Sequence, residues 1–343
     1  MPSFVLVITI TIVVLALIFD FINGFHDTAN AIATSVATRV LTPRQAIIMS
    51  AMLNFLGAFI SVSVAKTVGS DIIHTNLVAE YVIIGALLGA IAWNLITWYY
   101  GIPSSSSHAL IGGLIGSAVV YNVFNHKNGL EVVQWGNLLE KVIIPLILSP
   151  ILGFVIGFLF MIALNWILRK VRPATVTKVF SKAQIASAAA MALNHGLNDA
   201  QKSMGVISLA LFSGGLISTF YIPVEVKMAC ALAMALGTSI GGWKIIKTMG
   251  VNMAHLAPVN GFAAETSAAV IIFTASMFKA PVSTTHIIST AIMGVGASKR
   301  LTSVRWSVAK QIVWAWVFTI PVAAILSGTV MFIIMLIGKL FQF

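Results

Sequence analysis

Long apolar stretches alternate with short polar loops along the whole chain. The apolar stretches are 3–22, 45–65, 81–100, 142–168, 225–243, 261–278 and 308–337. Each is close to the length of about 20 residues with which an α-helix crosses the hydrocarbon core of a bilayer. Because open sheet edges have no hydrogen-bond partners in lipid, the pattern predicts an all-α integral membrane protein that crosses the membrane several times.

The composition agrees with a membrane protein and excludes most other classes. Hydrophobic residues make up 59% of the 343 residues and charged residues only 8%, which is too little charge to cover the surface of a soluble domain. The net charge of +11 lies in short loops between the apolar stretches, which is typical of positive cytoplasmic loops. We therefore expect a protein of the cell membrane with its basic loops in the cytoplasm, surrounded by lipid and without a nucleic-acid partner.

Three short motifs recur in the same order in the two halves of the chain. They are "GFHDTAN" (24–30) and "GLNDAQK" (196–202), "AKTVG" (65–69) and "IKTMG" (246–250), and "GIPSSSSH" (101–108) and "KAPVSTTH" (279–286). Their nearly constant offset indicates an internal repeat. The sequence therefore predicts a duplication, with repeats at 1–168 and 183–343 joined by a basic cytoplasmic linker at 169–182.

Loop charges indicate that the two repeats have opposite orientations in the membrane. The loop at 39–44 carries two arginines and no acid, whereas its counterpart at 213–224 carries no lysine or arginine. The loop at 121–141 has mixed charges, whereas its counterpart in the second repeat is purely basic. Since basic loops stay in the cytoplasm, equivalent loops face opposite sides. We expect inverted-topology repeats with both termini extracellular.

This orientation requires one apolar segment of each repeat to turn back at a hydroxyl-rich motif. The turn lies at "PSSSSH" in the first repeat and at "PVSTTH" in the second, within either a re-entrant hairpin or a pair of full spans. Inverted repeats with broken helices in matching places are typical of secondary transporters, which hold their substrate near the middle of the membrane.

Both turns have the chemistry of an anion site. Proline is favoured in the first turn of a helix and serine or threonine at its cap, so each motif predicts a helix that starts inside the membrane. Free N–H groups and hydroxyls at such a start suit a tetrahedral oxyanion; alternatively, the hydroxyls only cap and pack the turn. The candidate substrate-binding hydroxyls are those of Ser105, Ser106, Ser107, Ser283, Thr284 and Thr285.

Two aspartates, Asp27 and Asp199, lie in the polar motifs that are expected to break a helix of each repeat. An intramembrane carboxylate is costly and usually functional, and beside an anion it needs a cation or a proton. Amide oxygens of Asn30 and Asn198 suit a hard cation. The alternative is that each aspartate caps a helix at the break.

Further polar residues near these motifs are candidates for holding the coupling cation or proton. The full set is His26, Asp27, His108, Asn198, Asp199, Glu265 and His286. Because histidine changes charge near neutral pH, the two histidines that follow the hydroxyls can donate to an anion, carry a proton or ligate a metal; alternatively, they are structural. Glu265 either holds a cation or proton, or joins two helices by hydrogen bonding. Asp20 is expected to support the first polar motif.

The stretches "NGFHDTANAIATSV", "HGLNDAQKSMG", "GIPSSSSH" and "APVSTTH" resemble the inorganic phosphate transporter (PiT) family, and most closely its bacterial low-affinity phosphate permeases. The resemblance extends from Phe21 to the region of Arg305. It implies uptake of inorganic phosphate by symport with Na⁺ or H⁺, in bacterial members as a neutral metal–phosphate complex. It also implies a homodimer, an elevator-like movement and no cofactor. Phosphate binding is assigned by this resemblance to Asp27, Asn30 and Asp199 with the six hydroxyls.

The second polar motif departs from the family pattern at Lys202, which takes the place that Asn30 has in the first. The sodium-coupled pattern has asparagine at both positions. If Na⁺ binds at Asp27, Asn30 and Asp199, the lysine ammonium stands where one ion would be, and it neutralises Asp199 or binds phosphate directly. We therefore expect proton coupling or fewer sodium ions per cycle. The alternative is that Lys202 extends to the lipid headgroups.

Other functions fit the sequence less well. Sulfate has the geometry of phosphate, but at neutral pH it has no proton to donate to a carboxylate, so the buried aspartates favour phosphate. An intramembrane metallohydrolase is expected to carry a motif such as His-Glu-x-x-His, which is absent, and an enzyme has no need of an inverted second copy of its site. A channel does not need a tight site at two helix ends. We therefore expect a transporter and not an enzyme.

Overall fold

The computed structural model describes residues 2–62, 65, 72–74, 79–278 and 282–341. These residues form an all-helical protein. Its helices are α1 Pro2–Ala37, α2 Pro43–Gly57, α3 Val82–Tyr100, α4 Ser106–Phe124, α5 Trp135–Leu138, α6 Ile144–Leu168, α7 Pro173–Ser213, α8 Val224–Ile240, α9 Trp243–Lys247, α10 Pro258–Met277, α11 Thr284–Ala297 and α12 Trp306–Phe341. Short 3₁₀ turns occupy Gly129–Val132 and Leu301–Ser303, and π turns occupy Leu139–Ile143 and Thr248–Asn252. Residues 66–69 and 279–281 of the repeated motifs lie outside the described residues.

Several of these helices cross the membrane. Among the described residues, six helices are long and apolar enough to do so, and α8 with the segment Trp243–Asn252 makes a seventh candidate that is bent by 63°. The predicted span at 45–65 is wrong in its length, because α2 ends at Gly57 and the chain turns through 58–60. The protein is therefore a multi-pass membrane protein, as the apolar pattern predicts.

The 41-residue helix α7 is the element that the apolar pattern missed. A row of polar side chains along its buried side lowers its mean hydropathy, so it does not stand out as a span. It begins at Pro173, inside the predicted linker 169–182, and continues into the second half without interruption. The division of the chain into repeats at 1–168 and 183–343 stays a prediction.

Local sequence signals explain where several helices begin and end. Thr42 caps α2, because its Oγ1 accepts from the N–H of Gln45 at 3.3 Å while the Gln45 side chain accepts from the N–H of Thr42 at 3.0 Å. Such a reciprocal capping box satisfies two otherwise unpaired donors. Helix α3 ends at Gly101, whose φ of 67° is a left-handed conformation that glycine adopts without strain. This turn brings the hydroxyl motif back towards the protein interior.

Equivalent helices of the two halves make equivalent contacts. Helix α1 packs on α8, and its counterpart α7 packs on α2; α4 packs on α12, and its counterpart α11 packs on α6. Isolated backbone bridges also match, joining Ile73 with Val133 and Ala254 with Val304. These contacts bring the first turns of α4 and α11 to the middle of α1 and α7.

A glycine lets α1 approach α8 closely enough to complete this packing. A Cβ built on Gly24 lies 2.9 Å from the Thr238 nitrogen and 3.1 Å from the Gly237 Cα, and the backbone has no room to yield. We expect Gly24→Ala to lower the free energy of unfolding by about 1–3 kcal/mol, the usual cost of overpacking. Thermal unfolding in detergent measures this. The control is Gly136→Ala, because nothing lies within 4 Å of its Cβ; equal stability of the two variants would contradict the prediction.

Candidate functional site

Each hydroxyl motif caps the start of a helix. Ser105 is the N-cap of α4, and its Oγ accepts a hydrogen bond from the N–H of His108 at 3.3 Å. Ser283 is the N-cap of α11 and accepts from the N–H of His286 at 3.3 Å. The predicted helix starts are therefore present with matching caps. The place predicted for proline is wrong in the first motif, because Pro103 precedes the extended residue Ser105 and does not lie in the first turn.

The two aspartates lie within continuous helices and not at helix breaks. Asp27 lies inside α1 and Asp199 inside α7, and both helices pass these positions without interruption. The prediction of breaks at these motifs is wrong, as is the alternative in which the aspartates cap helix ends. The physical reason is that their polar side chains find partners on neighbouring helices. The backbone therefore keeps its own hydrogen bonds, as an apolar surrounding requires.

One amide and one carboxylate join the second hydroxyl motif to both polar motifs. The Nδ2 of Asn30 donates to Thr285 Oγ1 at 2.9 Å and to Thr284 Oγ1 at 3.3 Å. Thr284 Oγ1 in turn donates to Asp199 Oδ2 at 3.1 Å. All four side chains are buried. Residues that lie far apart in the sequence thus form one polar cluster.

Lys202 joins the first hydroxyl motif to the same cluster. Its ammonium contacts the Asp199 carboxylate and donates to the Ser107 hydroxyl. Ser106 Oγ lies 3.5 Å from Asp27 Oδ2. Because only 2% of Lys202 is exposed, the alternative in which it extends to the headgroups is wrong. Lys202 thus joins Asp199 to the start of α4, and the cluster contains the carboxyl groups of Asp27 and Asp199 together with one amino group.

His26 is held between Asp27 and α3. Its Nδ1 lies 2.7 Å from Asp27 Oδ1, and its Nε2 lies 2.9 Å from Thr97 Oγ1 and 3.3 Å from Ser104 Oγ. The ring therefore orients the Asp27 carboxylate and ties it to the residue just before the cap of α4. This places His26 directly at the cluster, and its role in holding a cation or a proton stays a prediction.

His195 contacts the second aspartate much as His26 contacts the first, although it comes from a different position of the repeat, and sequence reasoning missed it. Its Nε2 lies 3.1 Å from Asp199 Oδ2, and its Nδ1 lies 3.2 Å from Asn54 Oδ1. The available signal was its position four residues before Asp199, because residues i and i+4 share one face of a helix.

Three of these residues are placed to hold a cation. One ligand atom each from Asp27, His195 and Asp199 lies within 4.8 Å of the others. This set adds His195 to the two aspartates of the predicted sodium set. Asn30 donates its amide N–H groups to the threonines, while its Oδ1 has no hydrogen-bond partner among the described residues, so its role as a sodium ligand stays a prediction. Asn198 directs its Nδ2 to Asp199 Oδ1 at 3.2 Å and to the Val282 carbonyl at 3.4 Å. Its amide therefore supports the carboxylate.

His108 and His286 lie side by side behind the hydroxyl turns. Their ring centroids are 5.0 Å apart, and His286 stacks on Trp316 at 4.0 Å. Trp316 Nε1 donates to the Pro103 carbonyl at 3.1 Å. The two histidines thus link the beginnings of α4 and α11 to α12, next to the cluster.

Glu265 belongs to α10 and lies away from the cluster, where it contacts a different part of α1. Its carboxylate accepts from Thr34 and Ser187 and is approached by Gln184 Nε2 at 3.5 Å. Thr34 follows Asp27 by seven residues, so the two positions are about 10 Å apart along the helix axis. Glu265 connects three helices by hydrogen bonds, and its role as a cation or proton carrier stays a prediction.

One stretch matches the sequence of the hydrolase nucleophile elbow but does not form the turn of that motif. Residues 237–241 read Gly-x-Ser-x-Gly, but Ser239 lies in the last turn of α8 and donates to the Ala235 carbonyl at 2.9 Å. A nucleophile elbow requires a sharp strand-to-helix turn. The stretch therefore gives no support to an enzyme.

Comparison with known proteins shows which family the chain is similar to. A model described as the phosphate transporter family matches residues 23–327. A probable low-affinity inorganic phosphate transporter of Bacillus subtilis is 49% identical over 338 residues, covering 97% of this chain and 98% of the relative. A relative from Rhizobium meliloti with the same description is 46% identical, covering 92% and 93%. Among solved structures, a sodium-dependent phosphate transporter aligns with a TM-score of 0.84 at 26% sequence identity. The alignment covers 96% of this chain and 100% of that transporter's chain.

Proposed function

Because the chain belongs to the phosphate transporter family, we propose that it takes up inorganic phosphate by symport with a cation, H⁺ or Na⁺, through alternating access. The family membership confirms the resemblance drawn from the repeated motifs, and the family consists of transporters and not enzymes. The observation that best supports the proposal is the meeting of two capped helix starts with two buried aspartates in one cluster.

The cluster offers every interaction that a protonated phosphate needs. Hydroxyls and free N–H groups at the starts of α4 and α11 bind the phosphate oxygens, aided by the helix dipoles. The carboxylates of Asp27 and Asp199 accept hydrogen bonds from the P–OH groups. Lys202 supplies one positive charge, and a cation or proton at Asp27 supplies another. These two positive charges offset the carboxylates of Asp27 and Asp199, while the hydroxyls, N–H groups and helix dipoles stabilise the charge of the phosphate.

The architecture of the proposed transporter follows from the repeats. Helices α1 and α7 run antiparallel, since Asp20 accepts from Ser203 at 2.7 Å while Thr34 and Ser187 share the carboxylate of Glu265 at the other end. Antiparallel equivalent helices support inverted repeats. In this arrangement the basic loops are cytoplasmic, both termini are extracellular, and the chain functions as a homodimer among lipids of the cell membrane.

Uptake by the purified protein in proteoliposomes tests the function directly. We expect saturable accumulation of labelled phosphate driven by an inward cation gradient, whereas leak without saturation would indicate a channel. Imposing H⁺ and Na⁺ gradients separately identifies the coupling ion. Absence of uptake under either gradient, with correctly folded protein, would overturn the proposal.

Competition by sulfate decides between phosphate and a related oxyanion. We expect a tenfold excess of unlabelled sulfate at neutral pH to leave phosphate uptake nearly unchanged, because sulfate has no proton to donate to Asp27 or Asp199, and an unpaired buried carboxylate costs about 1–3 kcal/mol. Unlabelled phosphate at the same concentration is the control. Equal inhibition by the two anions would favour a general oxyanion transporter.

A further inference from the structure

Three buried polar side chains lie on the side of Asp27 that faces away from Glu265. Asp20 and Asn23 belong to α1, and Asn94 belongs to α3; each is 0% exposed. Among the described residues, all four amide atoms of the two asparagines have no hydrogen-bond partner, and one carboxylate oxygen of Asp20 has no nitrogen or oxygen partner, with the Cys230 thiol as its polar neighbour. Buried polar groups are normally paired, so this concentration of unpaired atoms indicates a missing ligand.

The first two residues continue the face of α1 that carries Asp27. Residues three and four positions apart share one face of a helix, so Asp20, Asn23 and Asp27 form a single row. The second repeat supports this orientation of the Asn23 side chain. The residue equivalent to Asn23 is His195, which lies four residues before Asp199 and contacts it at 3.1 Å. Asn23 thus lies between the two carboxylates of α1.

Helices α1 and α3 run in the same direction. Near their beginnings, Phe4 and Ile8 line one cavity with Tyr81, the residue before α3. Near their other ends, the rings of Phe25 and Trp98 are 5.1 Å apart. When a residue of α1 contacts a residue of α3, the residues one turn before them on the two helices therefore lie at the same depth.

This parallel arrangement brings Asn94 to the same depth as Asn23. His26 of α1 contacts Thr97 of α3 at 2.9 Å, and each asparagine lies three residues before one member of that pair. The residues that precede each asparagine on its own face, Ala16, Phe19, Leu87 and Ala90, are buried in the same apolar cluster. By this register the two asparagines lie at the same depth on neighbouring helices, one turn from Asp20 along α1.

We propose that Asp20, Asn23 and Asn94 form a second cation site, which receives a sodium-type monovalent cation on its way to Asp27. The inference rests on the proposed symport and names its coupling ion. Carboxylate and amide oxygens are ligands for hard cations, so the set suits a monovalent metal cation. Asp20 supplies the charge, with its second oxygen held by Ser203.

The site is present in one half of the chain only. The position equivalent to Asp20 in the second repeat is Ala192, and the position equivalent to Asn23 is His195. A site on one side of the central cluster serves access from that side, which is the extracellular side in the predicted topology. The cation is therefore captured from outside before phosphate binding is complete.

Sodium dependence of uptake tests the site, with K⁺ replacing Na⁺ at constant ionic strength. We expect Asn94→Leu to raise the half-saturating Na⁺ concentration by about tenfold, equal to about 1.4 kcal/mol of cation affinity, without changing the phosphate KM at saturating Na⁺. Asn94→Asp adds a charged oxygen of the same shape and is expected to lower that concentration. The matched control is Asn122→Leu, because Asn122 is equally buried with an unpaired Nδ2 in α4.

Two results would overturn the second cation site. One is an equal half-saturating Na⁺ concentration in Asn94→Leu, Asn94→Asp and the control. This result would mean that water, and not a cation, makes the hydrogen bonds of the two amides. The other is wild-type uptake that does not distinguish Na⁺ from K⁺. Stabilisation of the purified protein by Na⁺ in thermal unfolding, measured without phosphate, tests the site apart from transport. It therefore separates failure of this site from failure of the proposed function.

Discussion

Replacing Asp27 with asparagine should lower phosphate uptake by about 100-fold, the effect of losing about 3 kcal/mol of charge-assisted hydrogen bonding in a buried site. The amide has the shape of the carboxylate but no negative charge for a cation, and its NH₂ group would face the Ser106 hydroxyl. His26 would lose its charged partner at 2.7 Å. The initial rate of labelled phosphate uptake in proteoliposomes measures the loss.

The control for this substitution is Glu131→Gln. It also removes one carboxylate charge, but Glu131 is exposed and accepts only from Asn128 at 3.0 Å. We expect its uptake to match that of the wild type. If Asp27→Asn kept more than a tenth of wild-type uptake with unchanged ion dependence, Asp27 would not hold the coupling cation.

Replacing Lys202 should change how many cations move with each phosphate. Lys202→Asn restores the symmetry with Asn30 and removes the fixed charge from Asp199, so about one additional cation per phosphate is needed to balance the pair. Lys202→Met supplies neither charge nor amide. It leaves a buried carboxylate uncompensated, at a cost of about 3–5 kcal/mol, and we expect uptake to fall by about 100-fold or more.

The reversal potential of phosphate flux, measured against imposed ion gradients, gives the number of charges per phosphate in Lys202→Asn. Lys178→Asn is the control, because Lys178 lies on the exposed side of the same helix. An unchanged number of charges in Lys202→Asn would mean that the lysine binds phosphate or braces the turn and does not replace a cation.

Local patterns predicted the parts of the site that depend on neighbouring residues in the chain. Ser105 and Ser283 cap their helices as expected, because capping involves only the next three residues. The breaks expected at Asp27 and Asp199 are absent, because a run of polar residues in an apolar sequence looks the same whether it interrupts a helix or lines its buried face. His195 was missed for a related reason, since its partner Asn54 comes from another helix.

The sequence by itself determined that the protein spans the membrane and which family it resembles, and it predicted a duplication, since hydropathy and motif spacing are properties of the chain alone. Only the tertiary structure decided that Lys202 bridges Asp199 and Ser107, that Glu265 lies apart from the cluster, and that unpaired polar atoms collect around Asn23 and Asn94. These facts depend on which faces of separate helices meet. Burial makes such meetings decisive, because a buried polar atom must find its partner across the packed interior.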